Sequence, residues 1–165
     1  MGLVRRFEDL VAWQEARRLT ESVYRATRAA PFARDHELAN QLRRAAISTV
    51  TNIAEGFGSG TKAEFRRFLR YAIRSATEVQ SCLYVAADQR YLSEQEREQL
   101  YSSTERLKSL CSALVRRLSA THMPNPSDGG RVAERPGVWV VRHRSVGTSG
   151  RQHVSTSALD LTSQD

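Results

Sequence analysis

Apolar residues recur at steps of three and four along the first 120 positions, which is the period of a helix. In the first stretch Leu10, Trp13, Ala16, Leu19, Val23 and Ala26 share one face. They predict a helix from about Asp9 to Ala29, stopped by Pro31. A second helix is predicted from about Asp35 to Glu55, with Gly56 as a left-handed C-cap. The third opens on Thr61 with Glu64 three residues on, the spacing of a capping box, and runs to about Gln89. Its residues Phe65, Leu69, Ala72, Ala76, Val79, Leu83 and Ala86 alternate steps of four and three without a break, a heptad seam. The fourth opens on a second box, Ser93 and Glu96, and runs to about Ala120, with Leu100, Thr104, Leu107, Cys111, Leu114 and Leu118 on its seam. Seams of this kind align neighbouring helices, and short connections make them antiparallel. The expected fold is all-α: an antiparallel up-down-up-down four-helix bundle over residues 1–120.

The second helix departs from the others. Leu38, Leu42 and Ala45 mark one face; Ala46, Val50, Ile53 and Phe57 mark another, and much of the remainder is small. A helix that is apolar on more than one side is buried on more than one side. This pattern predicts self-association. After residue 120 the helical period ends. Residues 121–165 are rich in Pro, Gly, Ser and Thr and are expected to be mostly disordered. Val138-Trp139-Val140-Val141 is the one β-prone piece, too short to form a stable unit alone.

Composition then narrows the classes. The chain has 165 residues, one domain's worth, and Lys+Arg outnumber Asp+Glu by 25 to 18, a net charge of +7. Residues 1–120 carry +6 of that surplus and the tail +1. Only Lys62 and Lys108 are lysines, so nearly every cation is a guanidinium, the fork that suits phosphate. A GC-rich coding sequence would produce the same bias, so position has to decide. No apolar run is long enough to span a bilayer, and the N-terminus lacks the apolar region of a secretory signal. A cytoplasmic protein without a membrane segment is expected.

Candidate chemistry is sparse. His36, His122, His143 and His153 show no metal-ligand spacing, and Gly56-Phe57-Gly58-Ser59-Gly60 lacks the ending of a phosphate loop. Cys82 and Cys111 would lie roughly 16 Å apart along an antiparallel pair, beyond disulfide reach. No nucleophile–base pair is present, so no enzymatic activity, metal or cofactor is expected. The arginines do form a pattern. Arg67, Arg70 and Arg74 lie on the outer stripe of the third helix, with Arg66 beside them and Tyr71 interleaved. Glu78 can offset Arg74 at i+4, while no residue of the same stripe offsets Arg67 or Arg70. A net-positive stripe with an aromatic suits a nucleic-acid backbone; a solvated helix face is the plain alternative. Glu55 sits at a helix C-terminus, the unfavourable end for an anion, and calls for a cationic or amide partner. Arg43 or Arg44 of another subunit would serve, since neither reaches Glu55 along its own helix.

Several of these residues carry a resemblance. Phe7-Glu8-Asp9-Leu10 with Trp13-Gln14, Gln41-Leu42-Arg43-Arg44-Ala45, Asn52-Ile53-Ala54-Glu55-Gly56, Phe65 with Phe68-Leu69, and Ser75 with Glu78 together resemble a bacterial four-helix-bundle family. That family includes proteins encoded in intervening sequences of large-subunit rRNA genes and the accessory variability determinant of diversity-generating retroelements. The likeness covers about residues 5–120. Arg74 stands where the family usually has Gly, and Pro31-Phe32 where Phe-Pro is common. The resemblance implies a homopentameric ring, with Gln41, Arg43, Arg44, Asn52, Glu55 and Gly56 as the family motif at its interface. For the retroelement branch it implies binding to RNA, or to an RNA/DNA hybrid, and to a partner reverse transcriptase. For the intervening-sequence branch it implies a stand-alone oligomer with no established activity.

Overall fold

The four predicted helices form, and three of them, α2 to α4, open on a side-chain cap that the sequence supplies. In the computed structural model, which describes residues 3–120 and 139–140, α1 spans Val11–Arg28, α2 His36–Gly58, α3 Lys62–Asp88 and α4 Glu94–Ser119. The Asp35 carboxylate caps α2 by accepting from the Leu38 N–H at 3.0 Å. At α4 the box is complete: the Ser93 hydroxyl accepts from the Glu96 N–H, and the Glu96 carboxylate accepts from the Ser93 N–H. At α3 only the first half forms, with Thr61 accepting from the Glu64 N–H at 3.2 Å.

Two boundaries differ from expectation. Phe7–Asp9 makes its own single turn of 3-10 helix, and extended backbone at Leu10 delays α1 to Val11. More consequential is Gly56, which is not a left-handed cap. It lies inside α2, which continues to Gly58. A Cβ there would sit 2.7 Å from the Phe68 Cβ and 2.9 Å from Phe65 Cδ2. The glycine therefore serves close approach of α2 to α3, not a turn. The left-handed position is Gly60, with φ +78°, in the short connection to α3.

Each helix packs on the next in the chain, and α4 closes on α1. All seven seam residues of α3 are buried, as are Leu100, Thr104, Leu107, Cys111 and Leu114 of α4; Leu118 is half-buried near the helix end. Each fully buried Leu, Ile or Phe stabilises the fold by about 2 kcal/mol. Polar residues in this core are satisfied locally. The hydroxyls of Thr27, Thr49 and Thr104 donate to carbonyls of their own helices. Glu15 meets Arg18 at 2.6 Å and Arg106 of α4 at 3.6 Å. The Trp13 indole N–H has no partner among the described residues.

Cross-helix pairs set the register. Between α1 and α2, Thr20 meets Ala46 and Thr27 meets Arg43. Between α2 and α3, Gln41 meets Glu78 and Ser48 meets Ser75. Between α3 and α4, Gln80 meets Glu105 and Arg66 meets Ser119. Phe32, from the α1–α2 connection, stacks on Tyr91, from the α3–α4 connection, at 5.0 Å.

The β-prone piece after residue 120 has a partner. A short strand β1, Leu3–Val4, pairs antiparallel with β2, Trp139–Val140, in the register Leu3 to Val140 and Val4 to Trp139. The rest of the expected disordered tail, 121–138 and 141–165, lies outside the described residues.

Candidate nucleic-acid interface

The buried seam of α3 dictates what its opposite face presents. With Leu69, Ala72 and Ala76 turned inward, Arg67, Arg70 and Arg74 point outward and all three are exposed. Tyr71 lies among them, 38% exposed. Arg66 is half-buried and leans toward α4, donating to the Ser119 hydroxyl at 3.4 Å. The five predicted residues therefore do not form one uniform stripe.

Their partners correct the charge reading at two points. Arg67 is offset after all: its guanidinium pairs with Glu64 at 2.7 Å, one turn earlier on the same face. This also explains the half-formed box, because the Glu64 carboxylate is committed to Arg67. Glu78, expected to offset Arg74, instead accepts from the Gln41 amide across the α2–α3 seam. Arg70 and Arg74 have no hydrogen bond or ion pair among the described residues. They are the uncommitted cations of this face.

Aromatic geometry fixes Tyr71. Its ring meets Phe68 edge to face, with centroids 5.9 Å apart and planes at 86°. The Arg67 guanidinium lies 5.5 Å from the Phe68 centroid and 6.0 Å from that of Tyr71. The sequence signal for Phe68 is its i+3 spacing to Tyr71, and that for the second role of Glu64 is its place three residues before Arg67.

Of the motif residues of α2, Gly56 is buried, Arg43 and Asn52 are half-buried, and Gln41, Arg44 and Glu55 are exposed. Arg43 donates to the Thr27 hydroxyl at 2.7 Å and to the Thr27 carbonyl at 2.9 Å, and its guanidinium lies 5.3 Å from the Tyr24 centroid. It is engaged by its own α1, which leaves Arg44 as the exposed candidate for Glu55 of another subunit. Asn52 donates to the Ser48 carbonyl at 2.7 Å and to the Ser48 hydroxyl at 3.0 Å; that hydroxyl meets Ser75 at 2.9 Å. Gly56 is covered by Phe65 and Phe68. Arg44 and Glu55 are exposed and unpaired among the described residues. They share an outer stripe with Ile47, 39% exposed, and Thr51.

Other candidate chemistry is weak. Cys82 and Cys111 are buried and free. Burial pushes the Cys111 thiol up to about 12, and burial together with Glu78 raises that of Cys82. Neither is a thiolate near neutrality. Among the described residues no group of side chains could hold a metal ion, and no helix is long and apolar enough to cross a membrane.

Three comparisons bear on this geometry. A family model described as 23S rRNA-intervening sequence protein matches residues 8–113. A solved structure from Bacteroides thetaiotaomicron VPI-5482, of a protein with unknown function from the S23 ribosomal protein family, superposes with a TM-score of 0.60. It is 17% identical over 64% of this chain and 96% of its own. No curated protein matches.

Proposed function

We propose, from the premise that the chain belongs to the 23S rRNA-intervening sequence protein family, that it is a non-enzymatic RNA-binding scaffold. The observation that carries this reading is the pair of exposed, uncommitted guanidinium groups at Arg70 and Arg74, on a face that also holds Tyr71 and Arg67. A free guanidinium has its full hydrogen-bonding capacity for phosphate. Arg66 adds positive field while donating to the neutral Ser119 hydroxyl; the charge of Arg67 is offset by Glu64.

The assembly belongs to the same proposal. An up-down-up-down course is supported by the cross-helix pairs, in which numbers rise on one helix as they fall on its neighbour. Self-association is supported by the outer stripe of α2, where an apolar Ile47 lies between Arg44 and Glu55. Opposite charges at the two ends of a stripe let copies pair. The homopentamer implied by the resemblance would gather the bundles' charge of +6 each into about +30, a strong field for a polyanion. In the retroelement setting the scaffold would hold RNA, or an RNA/DNA hybrid, for a partner reverse transcriptase.

A second reading has its own observation. Glu64 neutralises Arg67 and Ser119 engages Arg66, as on a solvated face. On that reading the chain is a stand-alone oligomer with a protein-interaction role. The test is RNA retention by the full chain across a salt series. The RNA reading expects log affinity to fall steeply with log salt, and expects Arg70→Glu with Arg74→Glu to abolish retention while the oligomer persists. Weak, salt-insensitive retention would establish the second reading instead. An adjacent reverse-transcriptase gene would assign the retroelement setting, and a position inside an rRNA gene the other.

A further inference from the structure

Two tyrosines on α3 are exposed, and their surroundings differ in a way that names a ligand. Tyr84, 51% exposed, lies under Arg97, whose guanidinium is 5.2 Å from the ring centroid. Arg97 is fully occupied, paired with Glu94 and with Glu98 at 3.2 Å. Tyr71 too has a carboxylate-paired arginine near its ring, Arg67 at 6.0 Å, but its sequence neighbours differ. Arg70 and Arg74 flank it in sequence without partners, and Phe68 holds its ring edge to face. The exposed ring thus shares the outer face of α3 with two guanidiniums free to take phosphate.

We infer that the RNA taken by this face is unpaired, with one base stacked on Tyr71 and adjoining phosphates on Arg70 and Arg74. The inference rests on the RNA reading above and narrows it. In a duplex the bases are stacked on each other, and a protein meets mainly phosphates and sugars. Arginines alone would serve that ligand, and an exposed aromatic among them would add nothing. An unpaired base has an open face, and an aromatic platform gains roughly tenfold or more in affinity per base stacked. The Arg67 guanidinium lies over one face of the Tyr71 ring, 6.0 Å from its centroid, so the base takes the face that Arg67 leaves open.

The test uses the full chain with a fluorescein-labelled oligouridine and an RNA duplex of equal length, read by anisotropy. The wild type should prefer the oligouridine. Tyr71→Leu should weaken oligouridine binding by about tenfold and leave the duplex unchanged; Tyr71→Phe should retain binding, and Tyr84→Leu should alter neither ligand. Tyr71→Trp gives an independent readout: its fluorescence should be quenched by oligouridine and not by duplex. Equal binding of both ligands, with no effect of Tyr71→Leu and no quenching, overturns the inference and leaves the RNA reading standing. Failure of the wild type to bind either RNA overturns both. Dissociation of the assembly by Tyr71→Leu, seen in sedimentation, would assign the ring to a subunit contact and overturn the inference as well.

Discussion

The seam between α2 and α3 and the outer face of α3 are built from the same kinds of side chain, yet they spend them differently. Along the seam nearly every polar group is engaged: Gln41 with Glu78, Ser48 with Ser75 and Asn52, and Gly56 closed against Phe68. On the outer face Arg70 and Arg74 engage nothing among the described residues. The motif through which the chain resembles its family is thus largely mortar between helices. The residue that departs from the pattern, Arg74, stands on the surface that remains free to bind. On the proposed RNA reading, the family motif sits mainly at the α2–α3 seam and the ligand would meet the outer face of α3.

The sharpest way to break that division is at Gly56. Gly56→Ala would place a Cβ 2.7 Å from the Phe68 Cβ, a position anchored to the α3 backbone. The two helices would have to part, at a cost of about 2 kcal/mol. Thermal unfolding followed by circular dichroism should show a clear fall in melting temperature. RNA affinity per folded molecule should be unchanged, and a selective loss of affinity would show that seam and face are not separable.

The converse is Arg70→Gln with Arg74→Gln. Both side chains are exposed and unpaired among the described residues, so stability should stay within about 0.5 kcal/mol of wild type. Affinity for single-stranded RNA should drop, and the slope of log affinity against log salt should shrink by about 1.4, for two lost phosphate contacts. An unchanged slope would remove these two residues from the interface.

The helices were legible in sequence because their causes are local. A seven-residue seam on α3 has one solution, and Ser93 with Glu96 builds its box from neighbouring residues. The failures came where one residue had two suitors. Glu64 fits a cap and also fits Arg67; charge pairing won, and half of the box was lost. Glu78 fits Arg74 along the helix and Gln41 across it, and the tertiary partner won. Gly56 fits a helix end and also a close crossing, which local sequence cannot distinguish. Arg43 meets Thr27 on another helix, a partner that local sequence does not show. The exposed positions of Arg67, Arg70, Tyr71 and Arg74 followed from the seam alone; which of them are free did not.

The box at α4 extends the comparison to acid stability. Hydrogen bonds from Ser93 hold the Glu96 carboxyl below its ordinary value of 4.5. A depressed folded value contributes stability above the ordinary carboxylate range, and that contribution disappears as pH falls through the folded value. Glu96 is solvent-screened, so the amount is about 0.5 kcal/mol. Glu96→Gln should therefore lower the melting temperature slightly at pH 7, with the difference from wild type closing as pH falls below the ordinary carboxylate range.

The smallest effect is expected at Glu64, where the division between held and free charge can be moved by one atom type. Glu64→Gln removes the anion that occupies Arg67, while the cap bond from the Glu64 backbone N–H to Thr61 does not depend on the side chain. An exposed pair of this kind contributes under about 1 kcal/mol, so the fold should hardly change. Arg67 would then join Arg70 and Arg74 as an uncommitted cation beside Tyr71. Affinity for oligouridine should rise by about twofold at low salt and return to the wild-type value at high salt, where the added charge is screened. A fall in affinity would mean that Glu64 holds Arg67 in its binding position, and that the pair belongs with the engaged side chains of the seam.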